Sequence, residues 1–69
     1  MFSQFNLGDI ISISTSEEND FSSGRVVCIV DNYGITIETN LGFSMVLARW
    51  VKEINYEFNT LIVTQIHRY

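Results

Sequence analysis

Proline is absent from these 69 residues, cysteine and histidine occur once each, and lysine and arginine together number four. A single cysteine, Cys28, excludes an internal disulfide. Cys28 and His67 together fall short of the three or four ligands of a zinc site, so no metal or other cofactor is expected. No apolar run approaches the roughly 20 residues of a membrane-crossing helix. The opening MFSQFNLGD lacks the basic-then-apolar layout of a signal peptide, so a soluble, cytoplasmic protein with no membrane partner is expected. Four bases against eight acids give a net charge of −4, which argues against duplex DNA as a partner. It leaves room for a local site that takes a few single-stranded bases. With no proline, internal repeat or low-complexity tract, nothing marks a linker, and residues 1–69 read as one domain.

What is present is apolar: 46% of the residues are hydrophobic, and the mean hydropathy is +0.16. A chain this short buries only about 60% of the surface that its unfolded form exposes. With neither disulfide nor metal to add stability, self-association is the remaining route.

Along the chain, Phe2, Phe5 and Leu7 have helical spacing, as one short N-terminal helix or an ordered arm laid on the core. Ile10 to Thr15 reads as a first strand, with Ile11 and Ile13 opposite Ser12 and Ser14. The loop TSEENDFSS follows, and its acids Glu17, Glu18 and Asp20 match no calcium-loop spacing. A second strand opens at Gly24, where a bend or bulge is permitted. Its VVCIV run is apolar on both faces, which calls for cover by the N-terminal arm or by another subunit, and Cys28 reads as a buried thiol. Asp31, Asn32, Tyr33 and Gly34 supply a turn. Ile35 and Ile37 then alternate with Thr36 and Glu38 in the clearest half-buried strand of the chain. After a turn at Asn40 to Gly42, a fourth strand starts at Phe43, with a kink or single helical turn expected at Ala48 to Val51 before Lys52 to Tyr56. Thr60 to Tyr69 is a last, β-branched strand. The pattern is all-β: five short strands forming a small barrel.

No pairing of His67 with a serine or cysteine suggests a nucleophile, and no spacing selects a pair of carboxylates, so no enzyme is expected. Binding chemistry is better represented. Tyr33 sits at a turn, where its ring can stack on a base, and Asn32 beside it offers donors and acceptors to a base edge. Equally, Tyr33 can cap the barrel end while Asn32 serves the turn. Arg49 and Lys52 flank Trp50 and can meet phosphate or a base, although Trp50 itself also suits a core or an interface.

The order of a glycine, an apolar strand, an Asp-Asn-aromatic corner, a short strand, a glycine turn and an apolar strand resembles the Sm-like family. GRVVCIVDNYGITIE is closest to the bacterial Hfq branch, where an Asp-Asn-Phe corner takes the place of Asp31, Asn32 and Tyr33. FSMVLARWVKEI resembles the second Sm motif, and the likeness spans Asp9 to about Ile54. It implies a strongly bent five-stranded open barrel, and the strand-like C-terminal segment Asn59 to Tyr69 exceeds what that minimal barrel needs. It also implies a homo-oligomeric ring, pentameric to heptameric, and single-stranded RNA bound at the pore with Tyr33 stacking a base. The candidate RNA-binding residues are therefore Asp31, Asn32, Tyr33, Arg49 and Lys52. Departures from the pattern are Ile35, where an asparagine stands in the eukaryotic and archaeal branch, and Ala48 and Arg49, where the Hfq branch has lysine and histidine. The alternative is a structural or protein-interaction module, of phage or accessory type, that uses the same barrel without RNA.

Overall fold

The computed structural model describes residues 1–17 and 20–69. The strands are β1 (Ile10–Ser14), β2 (Phe21–Val30), β3 (Gly34–Thr39), β4 (Gly42–Leu47), β5 (Val51–Asn55), β6 (Thr60–Val63) and β7 (His67–Arg68), with one 3-10 turn, Ala48–Trp50, between β4 and β5. They form one seven-stranded sheet in the order β5-β6-β1-β2-β3-β4-β7. All neighbours are antiparallel except β1 and β6, which run parallel from the Ser12 and Thr60 pair onward.

The all-β expectation holds, and the count of five strands does not. The expected fourth strand is divided at Ala48–Trp50, and its second half turns away to pair with β6. The expected last strand is also divided: Thr60–Val63 joins β1, while His67–Arg68 returns to the far edge beside β4. The seven-stranded sheet is not closed by backbone pairing, since β5 and β7 are its two edges. The N-terminal segment is an arm of turns, not a helix, and it buries Phe2 completely and Phe5 almost so.

Alternation explains much of the core. Ile11 and Ile13 of β1, Ile35 and Ile37 of β3, and Leu61 and Val63 of β6 all lie at 1% exposure or less. Each such side chain contributes about 1.5–3 kcal/mol when removed from water. In β4 the inward face is Ser44 and Val46, continued by Ala48 at the start of the 3-10 turn, which leaves Phe43 exposed. In β2 the register slips between Val26 and Cys28, so Val27 is an extra residue in the ladder. That bulge turns Val26 inward and Cys28 outward. Cys28 is therefore exposed, contrary to its reading as a buried thiol.

Gly24 lies where β2 passes from pairing with β1 to pairing with β3. A Cβ there would stand 2.0 Å from the Glu38 carbonyl oxygen, so only glycine allows the two strands this approach. No helix among the described residues is long and apolar enough to cross a membrane.

Candidate nucleic-acid interface

The corner between β2 and β3 is a tight turn in which the Tyr33 N–H donates to the Val30 carbonyl at 2.9 Å. Asn32 takes φ +64, a left-handed conformation that asparagine tolerates better than most residues. Tyr33 follows with 64% of its surface exposed, and Gly34 then packs under the backbone of Val46.

A second segment reaches the corner through the main chain. The Ala48 N–H donates to the Tyr33 carbonyl at 2.7 Å, which fixes the start of the 3-10 turn against the Asp-Asn-Tyr corner. Arg49, the next residue, is thereby brought beside Tyr33. Together Asn32, Tyr33, Leu47, Ala48 and Arg49 line a shallow cavity of about 150 Å³.

Three of the five candidate residues thus meet at one site. Arg49 is exposed and forms no ion pair among the described residues, whereas Arg25 is paired with Glu38 and Arg68 with Asp20. Its guanidinium is available to a base face or a phosphate.

Asp31 is committed elsewhere. Its Oδ1 accepts from the Met1 amine at 3.0 Å and from the Phe2 N–H, and Asn32 Oδ1 accepts from the same amine at 2.8 Å. The hydrogen bond from the amine, followed by that from Phe2, holds the Asp31 carboxyl below its ordinary value. Tyr56 completes the clasp, since its hydroxyl donates to the Met1 carbonyl and its ring packs 5.1 Å from that of Phe5. Asp31 therefore anchors the arm, which places Asn32 and Tyr33 indirectly. Lys52 is exposed on β5 and does not line the cavity.

Leu47 and Ala48 are contributors that motif reading passes over, because their role depends on the Ala48 to Tyr33 bond. A larger cavity also escapes the sequence. It measures about 350 Å³ and includes Phe21, Ser22, Leu41, Phe43, Ser44, Arg68 and Tyr69. Phe21 to Ser23 read as loop because of their polar neighbours, yet they open β2 and pair with Ser12 to Ser14 of β1. In the acidic loop, Asp20 bonds both Arg68 and Thr15, while Glu18 lies outside the described residues. No group of three or more His, Cys, Asp or Glu side chains is arranged to hold a metal among the described residues.

Comparison of the chain with protein-family models, with curated proteins and with solved structures finds no match in any of the three. The fold and the site's geometry accordingly carry the functional reading alone. They define a small all-β protein built on one unclosed seven-stranded sheet, with an exposed aromatic corner.

Proposed function

We propose that this chain is a cytoplasmic, Sm-like, single-stranded RNA-binding protein that works as a homo-oligomeric ring. Tyr33 stacks on a base, Asn32 meets a base edge, and Arg49 takes a phosphate or a second base face. The observation that carries this reading is the meeting of Asn32, Tyr33 and Arg49 at one shallow cavity from separate segments of the chain. An exposed aromatic beside a planar cation suits an unstacked base, which single strands present and duplexes do not. Lys52, the other cation without an ion pair among the described residues, has a lesser role as a phosphate contact outside the cavity. No catalytic step is part of this reading.

Ring assembly is supported by the open sheet. β5 is an unpaired edge, and β4 is met by β7 only at Ser44 and Met45, with backbone bonds between Phe43 and Tyr69 beyond them. Such edges are the means by which subunits join sheets. Sedimentation at micromolar concentration reports it: a five- to seven-subunit particle is expected, and a monomer ends the ring proposal.

The β5 edge and the net charge of −4 also favour a second reading, in which the same sheet binds another protein and no RNA. Fluorescence anisotropy with short U-rich and A-rich RNAs at low salt separates the two. Binding should weaken with salt at a slope of only about 0.7 per phosphate engaged. The absence of binding to either RNA leaves the protein-interaction reading.

A further inference from the structure

The larger cavity carries chemistry that the Tyr33 corner does not use, and the two share no residue. Phe21, Leu41, Phe43 and Tyr69 line it while remaining exposed, Leu41 at 93%. Four large apolar side chains are thus held in water around one space of about 350 Å³.

Its polar lining distinguishes it from a plain apolar groove. Ser22 and Ser44 are 8% and 2% exposed, and their hydroxyls bond each other at 3.1 Å. Arg68 Nε donates to Ser22 Oγ at 3.1 Å. The serine pair holds two hydroxyl protons, of which one lies between the oxygens. The other, on Ser22, is free to donate, since Ser22 Oγ accepts from both Ser44 Oγ and Arg68 Nε. A hydroxyl on the wall of a cavity in that state can donate to an oxygen of a ligand seated there. Arg68 adds Nη1, which has no partner among the described residues, its Nη2 being bonded to Asp20 and the Phe21 carbonyl.

Charge selects the kind of oxygen. Asp20 Oδ1 lies 2.8 Å from Arg68 Nη2 and balances the guanidinium, in a chain whose net charge is −4. A carboxylate would enter without a free counter-charge, whereas a carbonyl or amide oxygen needs none.

We propose that this cavity binds a small, neutral ligand made of an aromatic ring and a carbonyl or amide group. The ring lies among Phe21, Phe43 and Tyr69, and the oxygen accepts the remaining hydroxyl proton of the Ser22–Ser44 pair. At 350 Å³ the cavity is near the lower end of the roughly 300–1,000 Å³ of ligand pockets, which suits one ring and one amide. That chemistry is shared by a free aromatic amide and by a phenylalanine within a peptide.

The test is a proton–nitrogen correlation NMR titration of the full chain with benzamide, benzoate, toluene and acetyl-Gly-Phe-Gly-amide. Benzamide or the peptide should give saturable shifts at residues 21–23 and 40–44. Benzamide should bind about fivefold or more tightly than benzoate, which carries a charge, and than toluene, which lacks the oxygen. The double variant Ser22→Ala with Ser44→Ala removes both hydroxyls together and should weaken benzamide by about threefold or more. Should that variant misfold, the benzamide and toluene comparison in the native chain still decides. Tighter binding of the peptide supports a peptide source, and tighter binding of benzamide supports a free small molecule. No saturable shift with either, or equal affinity for benzamide and toluene, overturns the proposal.

Discussion

The Ala48 N–H and the Tyr33 carbonyl are 2.7 Å apart, and this one main-chain bond joins the end of β4 to the corner between β2 and β3. It brings Arg49 beside Tyr33 through the main chain. The placement of Tyr33 and Arg49 is thus a property of the backbone, which makes these two side chains replaceable without harm to the fold. Each is exposed, and exposed substitutions away from special features shift stability by about 0.5 kcal/mol or less.

Acid should unfold this protein partly through two aspartates. The Asp31 carboxyl is held below its ordinary 3.8 chiefly by the Met1 amine. That of Asp20 is held below 3.8 chiefly by Arg68, with Thr15 next. Because both are depressed in the folded state, the unfolded chain binds more protons as pH falls, and stability is lost below 3.8 toward the folded values. Thermal midpoints should be nearly level from pH 7 to about 5 and fall below about 4. The double variant Asp20→Asn with Asp31→Asn should show a shallower fall, and an unchanged slope would remove both clasps from the account.

Gly24→Ala should be the most damaging single-methyl change. The added Cβ meets the Glu38 carbonyl oxygen at 2.0 Å, a backbone atom of the paired strand that cannot rotate aside. Chemical denaturation should show a loss of at least about 2 kcal/mol. A loss under about 0.5 kcal/mol would mean that β2 does not bend at Gly24 as described.

Cys28 should react with a thiol reagent in the native state. The bulge at Val27 turns it outward, and it is a free, exposed thiol. One equivalent of a disulfide-exchange reagent should be consumed without denaturant, at a rate within about tenfold of that in the unfolded chain. Protection until unfolding would place Cys28 under a second subunit, which the ring proposal could accommodate only through the outer face of β2.

What the sequence disclosed, and what it withheld, follows from the local signal at each place. Ile35 and Ile37 alternate with polar residues, so their burial in β3 was legible, as was the single helical turn after Leu47. VVCIV offered five apolar residues in a row and therefore no parity, so the bulge that exposes Cys28 had no local sign. Ser22 and Ser44 look like surface residues, yet each is buried, and one hydroxyl bonds the other across the sheet. The division of the last strand depends on pairing with both β1 and β4, which is decided by partners distant in sequence. For the site, Asn32 and Tyr33 were legible from turn chemistry. The anchoring role of Asp31 was not, because it rests on the Met1 amine and Phe2, 29 or more residues away.

The central claim is that RNA binds through Tyr33, and the direct measurement is anisotropy of a labelled U-rich or A-rich RNA titrated with the native protein and with Tyr33→Ala. Stacking on an aromatic is worth about 1–3 kcal/mol per base, so the variant should bind roughly five- to 150-fold more weakly. Its thermal midpoint should match that of the native protein, as suits a residue 64% exposed. Equal affinity of the two proteins, or no binding by either at low salt, would contradict the account.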